Sequence, residues 1–377
     1  MRTLYIVDKC RYLWINESIY DKIYDICFDD GRVGRLLKIS IVTPTFNSTR
    51  TLDEYMEAIM AQDYPHELLE LVFADGGSTD GTLELFEKYK NECDFPVNVY
   101  ENPLRTAEAG KAVGVRKAGG DVICLLDSDN IIPEKNWISR MMAPFEETNI
   151  VASEPIEYTY RKTDSVINRY CALIGMNDPL CMFTGNYDRY CAVTGKWTKV
   201  EREEVDKGDY LSIKFREDMI PTIGANGFFM RTRELLDNFE GDYLFDIDVL
   251  WELFKKDPEL RVAKVKTGIV HLFCPDTKTF IRKQNRRIRD FLYFSDAKGR
   301  KYPWSKVGKG KIVVFGLCCV TFIPLIIQAI IGCIRRPDIQ AWAYHIVACW
   351  ITLAVYGWGT ICGLFKKEQA NRDNWKQ

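Results

Sequence analysis

Short β-branched runs alternate with stretches of helical period along residues 38–135. Ile39-Ser40-Ile41-Val42 stops at Thr43-Pro44-Thr45, and Leu52, Tyr55, Met56, Ile59 and Met60 then recur every three or four positions. That pattern predicts a strand followed by an amphipathic helix. The unit repeats with Leu71-Val72-Phe73-Ala74, which ends at Asp75-Gly76-Gly77; Ser78-Thr79-Asp80 can cap a helix carrying Leu83 and Phe86. Val97–Tyr100 predicts a third strand, residues 107–118 a helix closed by Gly119-Gly120, and Asp121–Leu126 a fourth strand apolar enough to be covered on both faces. Alternation of this kind predicts an α/β domain with a mostly parallel sheet. Ligands of such sheets bind beyond the carboxyl ends of the strands. The polar clusters Thr43–Asn47, Asp75–Asp80 and Asp127–Asn130 all stand there.

The pattern changes twice further on. Over residues 280–292, Phe280, Ile281, Ile288, Phe291 and Leu292 interleave with Arg282, Lys283, Arg286, Arg287 and Arg289, which predicts a basic amphipathic helix suited to a membrane surface. Ile312–Ile334 and Ala341–Phe365 then carry no Asp, Glu, Lys or Arg. At about 1.5 Å per residue each is long enough for a hydrocarbon core of roughly 30 Å. The short polar turn Arg335–Gln340 between them predicts a transmembrane helical hairpin over 312–334 and 341–365, with Pro324 as a kink site. Ten basic residues flank the hairpin on the domain side (Lys298, Arg300, Lys301, Lys306, Lys309, Lys311, Lys366, Lys367, Arg372, Lys376), against Arg335 and Arg336 in the turn. That bias predicts a cytoplasmic domain and cytoplasmic termini, and the first residues carry no apolar run of signal-peptide length. The expected organisation is an N-terminal extension (1–37), a catalytic-type domain (38–295) and a membrane anchor (296–377).

Composition narrows the classes. Lys and Arg number 51 and Asp and Glu 53, a net charge of −2, so a general nucleic-acid surface is not expected. The 13 cysteines include no CxxC pair, which argues for reduced thiols rather than a disulfide framework or zinc ribbon; the ten-residue spacing of Cys171, Cys181 and Cys191 has no further ligand beside it. Three histidines exclude a His-rich metal site.

The clearest chemistry is Asp127-Ser128-Asp129, directly after the buried fourth strand. Two carboxylates one residue apart at a strand end can share a hard divalent cation, Mg²⁺ or Mn²⁺, which also takes diphosphate oxygens. Asp75 stands at another strand end. The same acids would also suit a solvated turn.

Ser40–Asn47 resembles the opening strand of family 2 glycosyltransferases. Gln62-Asp63-Tyr64-Pro65, Asp75–Thr82 and Leu125–Asp129 resemble the motifs that follow it, in the same order and spacing. The resemblance is strong over 38–135 and weaker to about 295. It implies a GT-A fold (Rossmann-like), a nucleotide-sugar donor, a divalent cation and inversion at the sugar carbon. It divides the domain into a nucleotide-sugar half, 38–135, and an acceptor half, 136–295. By the same resemblance Thr43 and Pro44 border the nucleotide, Asp75 meets the base or ribose, Asp127 lies near ribose and sugar, and Asp129 holds the metal. Many members have two acids before the glycine–serine turn, where this chain has Asp75 then Gly76. The base is therefore open, with a UDP-sugar favoured and a GDP-sugar the alternative.

On the acceptor side, Asn226 and Gly227 within Gly224–Phe229 resemble the family's acceptor segment, and Asp246-Ile247-Asp248 resembles the motif that supplies the base. A sugar hydroxyl needs a base to take its proton, an effect of about 10²–10⁴-fold. Asp246 is expected in that role and Asp248 is the runner-up; both acids would also suit the start of a helix. His271 stands as a further metal or diphosphate ligand or as a rim histidine. Gln284, Arg286 and Arg287 resemble the QxxRW motif of processive synthases with Ile288 in place of Trp. With only two spans expected, that departure implies transfer of a single sugar to a lipid or lipid-linked glycan. A polyprenyl-phosphate sugar synthase is the alternative, and a non-catalytic scaffold of the same fold the second.

Overall fold

The computed structural model describes residues 2–3, 14–15, 36–216, 219–296, 300–302 and 308–365. Met1–Leu37 is a separate unit in which β1 (Arg2–Thr3) pairs antiparallel with β2 (Trp14–Ile15). The rest of that N-terminal extension, apart from Leu36 and Leu37, lies outside the described residues, as do Lys298, Lys306, Lys366, Lys367, Arg372 and Lys376 of the flanking basic set.

In the second unit β3 (Ile39–Thr45), β4 (Leu69–Asp75), β5 (Val97–Glu101) and β6 (Val122–Leu126) run parallel in the order β5-β4-β3-β6. Every residue of β3, β4 and β6 is buried, as their unbroken apolar runs require of a sheet covered on both faces. Helix α1 (Thr49–Met60) buries Leu52, Tyr55, Met56 and Ile59 against it, and α2 (Thr82–Glu92) buries Phe86. Helix α3 (Ala107–Lys117) is capped by Thr106, whose side chain accepts from the Ala109 N–H. It lies close against β3: a Cβ on Gly110 would come within 2.7 Å of Pro44, and one on Gly114 would overlap Val42.

Past β6 the sheet becomes mixed. The short β7 (Asn130–Ile131), α4 (Trp137–Met142), β8 (Ile150–Tyr158), α5 (Val166–Ile174) and α6 (Leu180–Thr184) precede a hairpin of β9 (Arg202–Asp206) and β10 (Tyr210–Phe215). Then come β11 (Asn226–Arg231), α7 (Thr232–Leu236), α8 (Asp246–Lys256) and β12 (Arg261–His271). The order continues β6-β11-β8-β12-β10-β9, with β8 and β12 parallel and the other neighbours antiparallel. The expected mostly parallel sheet therefore describes the first half only, because its reading rested on the strand–helix alternation of residues 38–135.

A buried ionic group ties the second half together. Arg189 contacts Glu154 at 2.6 Å and Asp188 at 2.5 Å, and Lys264 pairs with Glu154. Arg189 also donates to the Asn226 carbonyl at 3.1 Å, fixing the start of β11.

The C-terminal segment departs from the expected hairpin. After α9 (Thr277–Asp296), the uncharged run of 312–334 falls into two helices, α10 (Lys309–Thr321) and α11 (Ile323–Arg335), bent by 91°. The break is at Phe322, with φ +60°, and Pro324 opens α11. A proline is tolerated in the first turn of a helix and not within one. The last helix, α12 (Ile339–Phe365), is long and apolar enough to cross a membrane.

Arg189→Met should strip the buried carboxylates of their main counter-charge and cost about 3–5 kcal/mol, read as a lower thermal unfolding midpoint. A midpoint equal to that of the parent would show that the group contributes nothing to stability.

Candidate active site

A cleft of about 580 Å³ opens at the carboxyl ends of the parallel strands. One wall is Pro44–Ser48, from the end of β3 and the loop into α1. A second comprises Asn102, Arg105 and the start of α3, and the floor is Asp127-Ser128-Asp129. The last wall is α9, through Arg282, Lys283, Asn285, Arg286 and Arg289. Arg105 takes a positive φ of 57°, a conformation rare outside glycine, and is held by its N–H to the Asn102 carbonyl. Strain of this kind collects at functional loops.

The expected donor residues divide. Pro44 lines the cleft. Thr43 lies beneath it, fully buried, with its hydroxyl 2.5 Å from the Tyr55 hydroxyl. Asp75 is buried and committed to its own turn: it accepts from the Gly77 and Ser78 N–H groups and from the Ser78 and Thr45 hydroxyls. That makes it the organiser of the Gly76-Gly77-Ser78 turn.

Asp127 and Asp129 differ sharply in environment. Asp127 Oδ1 is buried with no hydrogen-bond partner. Burial pushes this carboxyl up to about 7, against the pull of Lys111, and Asp129 and Asp246 add to the rise. At Asp129 burial also opposes the charge, but His271 and Lys283 overcome it and hold the carboxyl well below the usual carboxylate range. His271 Nε2 and Lys283 Nζ each lie 3.5 Å from Asp129. The pairing of β7 with the end of β12, Asn130 opposite His271, brings the histidine there. Its other ring nitrogen is 3.3 Å from Asn177.

Among the described residues no three His, Cys, Asp or Glu side chains converge well enough to hold a metal by themselves. The orphaned oxygen of Asp127 beside a firmly ionised Asp129 fits a hard cation that completes its shell with oxygens of a bound ligand.

Asp246 opens α8 and forms a buried ion pair with Lys111 of α3 at 2.9 Å. Burial outweighs that ammonium, and the Asp246 carboxyl lies above its usual value. Burial works against the Lys111 charge as well, yet Asp246, Asp127 and Glu108 together hold it above the usual lysine value. Lys111 therefore links Asp246 electrostatically to the Asp127 floor. Asp248 is employed differently: it accepts from the Lys301 N–H at 2.9 Å, the Tyr302 N–H and Arg300 Nε at 3.1 Å, clamping residues 300–302. Asn226 donates to the Tyr158 hydroxyl, and Gly227, at φ +76°, sits where a Cβ would meet Ile269 and Trp137 within 2.9 Å.

On α9 the motif residues point different ways. Arg286 lines the cleft. Gln284 is fully buried, donating to the Asn177 carbonyl and accepting from Arg287 and from the Tyr356 hydroxyl of α12. Arg287 also bonds the Asn177 carbonyl and stands 4.0 Å from Asp178, which accepts from Tyr356 at 2.6 Å. Gln284 and Arg287 thus brace the wall that Arg286 presents.

Sequence reasoning passed over Lys111, Arg105 and Tyr356. A signal existed for Lys111, a lone charge among small residues on the buried face of α3. None existed for Arg105, whose role follows from a loop conformation, or for Tyr356, whose partners lie far away in sequence.

Comparison with known proteins agrees with this geometry. Residues 40–171 match the family model described as "Glycosyl transferase family 2". Glycosyltransferase AglE of Haloferax volcanii is 24% identical over 139 residues, which is 37% of this chain and 45% of that protein. Poly(ribitol-phosphate) β-N-acetylglucosaminyltransferase TarS of Staphylococcus aureus is 32% identical over 97 residues, 26% of this chain and 17% of that one. The match thus spans less than half the length of these curated relatives. Among solved structures, a mannosyltransferase of Pyrobaculum calidifontis, in complex with GDP-Man and Mn²⁺, superposes with a TM-score of 0.50 at 13% identity, over 90% of this chain and 94% of its own; this likeness is one of fold. The motifs and the strand-end cleft agree with that match: residues 40–171 are similar to the glycosyltransferases of family 2, and the α/β domain has a GT-A-like fold.

Proposed function

We propose that the chain transfers one sugar, with inversion, from a nucleotide-sugar to a lipid or lipid-linked glycan at a membrane. The observation that carries this reading is the pair Asp127 and Asp129 at the floor of a cleft whose far wall is a cationic helix, with the buried Lys111–Asp246 pair acting electrostatically on Asp127. A UDP-sugar is the donor favoured, with a GDP-sugar second. A dolichyl-phosphate-sugar glucuronosyltransferase of Methanococcus voltae, 28% identical over 109 residues, supports a lipid-linked acceptor.

In this reading Asp246 takes the proton of the acceptor hydroxyl as its oxygen bonds the anomeric carbon and the bond to the diphosphate breaks. Lys111 orients that carboxylate. Asp127 and Asp129 would hold Mg²⁺ or Mn²⁺, which when bound neutralises charge on the departing diphosphate. Asp75 keeps the β4 turn in shape around the nucleoside, and Arg286 faces an acceptor phosphate with a planar, two-pronged donor. A second reading has one specific observation behind it. Both Asp246 oxygens accept from the Lys111 ammonium, and a polyprenyl-phosphate acceptor, already an anion, needs no base.

Three outcomes test these readings. Chelation should abolish turnover and Mg²⁺ or Mn²⁺ restore it, with Asp129→Ala inactive under both conditions; an Asp129→Ala enzyme fully active in chelator would defeat the metal role. Asp246→Asn should keep donor binding and lower kcat by about 10²-fold or more. Because a base must be ionised, the parent rate should fall as pH drops through a pKa above the ordinary 3.8, and this limb should vanish in Asp246→Asn. Unchanged kcat in that variant, with an acid-labile lipid monophosphate sugar as product, would favour the synthase. Finally, labelled donor and membrane lipid extract should yield a product one sugar longer; a ladder of lengths would contradict single transfer.

A further inference from the structure

The uncharged run 312–334 is pinned to the catalytic domain at both ends. Lys311 Nζ, at the start of α10, donates to the Thr184 carbonyl at 2.7 Å. Arg335, at the end of α11, donates to the carbonyls of Ala192 at 2.9 Å and Val193 at 2.8 Å. A segment whose ends meet one surface, with a 91° bend between them, enters and returns on the same side. Its tip, Phe322, stacks on Trp350 of α12 with ring centroids 5.2 Å apart.

The turn after α11 is fastened to the same domain. Asp338 accepts from Arg169 at 2.7 Å and from the Tyr160 hydroxyl at 3.0 Å, and Arg336 contacts Glu157 at 2.6 Å. In a hairpin crossing roughly 30 Å of hydrocarbon this turn would lie on the far side, out of reach of α5 and β8. Nor does α12 leave the domain as it proceeds. Tyr344 packs on Phe280, Tyr356 bonds Gln284, and Gly359 and Gly363 lie against Ile288 and Leu292, so it runs alongside α9.

What remains uncovered is apolar. Val313, Leu317, Val320, Ile323, Ile327 and Trp358 are all exposed, Ile323 by 65% and Trp358 by 68%. Cations stand at both margins: Lys199 packs on Gly185 beside the Lys311 anchor, and Gly195, next to Lys196, lies against Arg335. An apolar face with exposed tryptophans and lysines at its edge matches acyl chains below anionic headgroups.

We propose that residues 309–363 dip into one leaflet and return, α10 and α11 as a re-entrant wedge and α12 lying along the catalytic domain, so that none of these helices crosses the bilayer. The occupant of the face is a lipid leaflet with anionic headgroups. This rests on the membrane reading above, and the tests separate the two.

The full chain is mixed with sealed vesicles of phosphatidylethanolamine and phosphatidylglycerol. It should float with them; a dimer left in the dense fraction would make the face an interface between copies and would remove the membrane reading too. Pro337→Cys and Asn91→Cys are then treated with an impermeant maleimide and mapped by peptide mass, which discounts the native cysteines. Both should label from the same side. Labelling of residue 337 only from the side opposite residue 91 would overturn the wedge while leaving membrane association intact. Ile339→Cys, with donor hydrolysis as the check on folding, repeats the measurement at a residue 80% exposed. Ile323→Glu should weaken vesicle partitioning by about a hundredfold and leave donor hydrolysis in detergent unchanged; undiminished partitioning would show that the tip does not enter lipid.

Discussion

Lys111 is the charge on which the site turns. An ammonium taken out of water is costly unless carboxylates surround it, and here Asp246 is bonded to it while Asp127 acts from the next strand end. The lysine reaches this place because Gly110 and Gly114 let α3 settle directly on Pro44 and Val42. Asp246 comes from α8, far along the chain, so the buried ion pair joins the two halves of the domain. The same charge works against burial at Asp127, which is left with one buried, unpartnered oxygen.

The opposite wall is built on another logic. Helix α9 presents Arg282, Lys283 and Arg286 to the cleft from one face and gives Phe280, Gln284 and Ile288 to the protein interior. Its inner face is finished by α12, through Tyr356 and two glycines. The cationic wall of the cleft and the apolar C-terminal helix are thus a single packed layer.

Where a feature followed from local pattern, it could be read in advance. The strands at 39–45, 69–75, 97–101 and 122–126, the stripe of α1 and the basic helix α9 were all visible as periodicity. Asp246 and Asp248 stand two residues apart on one helix start, yet one meets Lys111 and the other clamps residues 300–302; nothing in three adjacent letters encodes that split. Of the antiparallel strands beyond β6, β9 left no signal because it is exposed and carries no apolar alternation. The 91° bend between α10 and α11 escaped the hydropathy pattern for a related reason. Hydropathy reports that a segment avoids water and says nothing of the hydrogen bonds of Lys311, Arg335 and Asp338, whose partners lie far away in sequence.

The contact between Tyr356 and Gln284 has a consequence in time as well as space. The two residues are 72 positions apart, with Tyr356 the later. At synthesis rates of about 5–20 residues per second, roughly 4–14 seconds separate them as the nascent chain lengthens. Through that interval α9 has been made and its inner face lacks the contacts of α12, while α10 and α11 emerge as largely apolar chain. Helix α9 therefore leaves the ribosome with this wall of the cleft unfinished, and the later α12 is the helix that completes it.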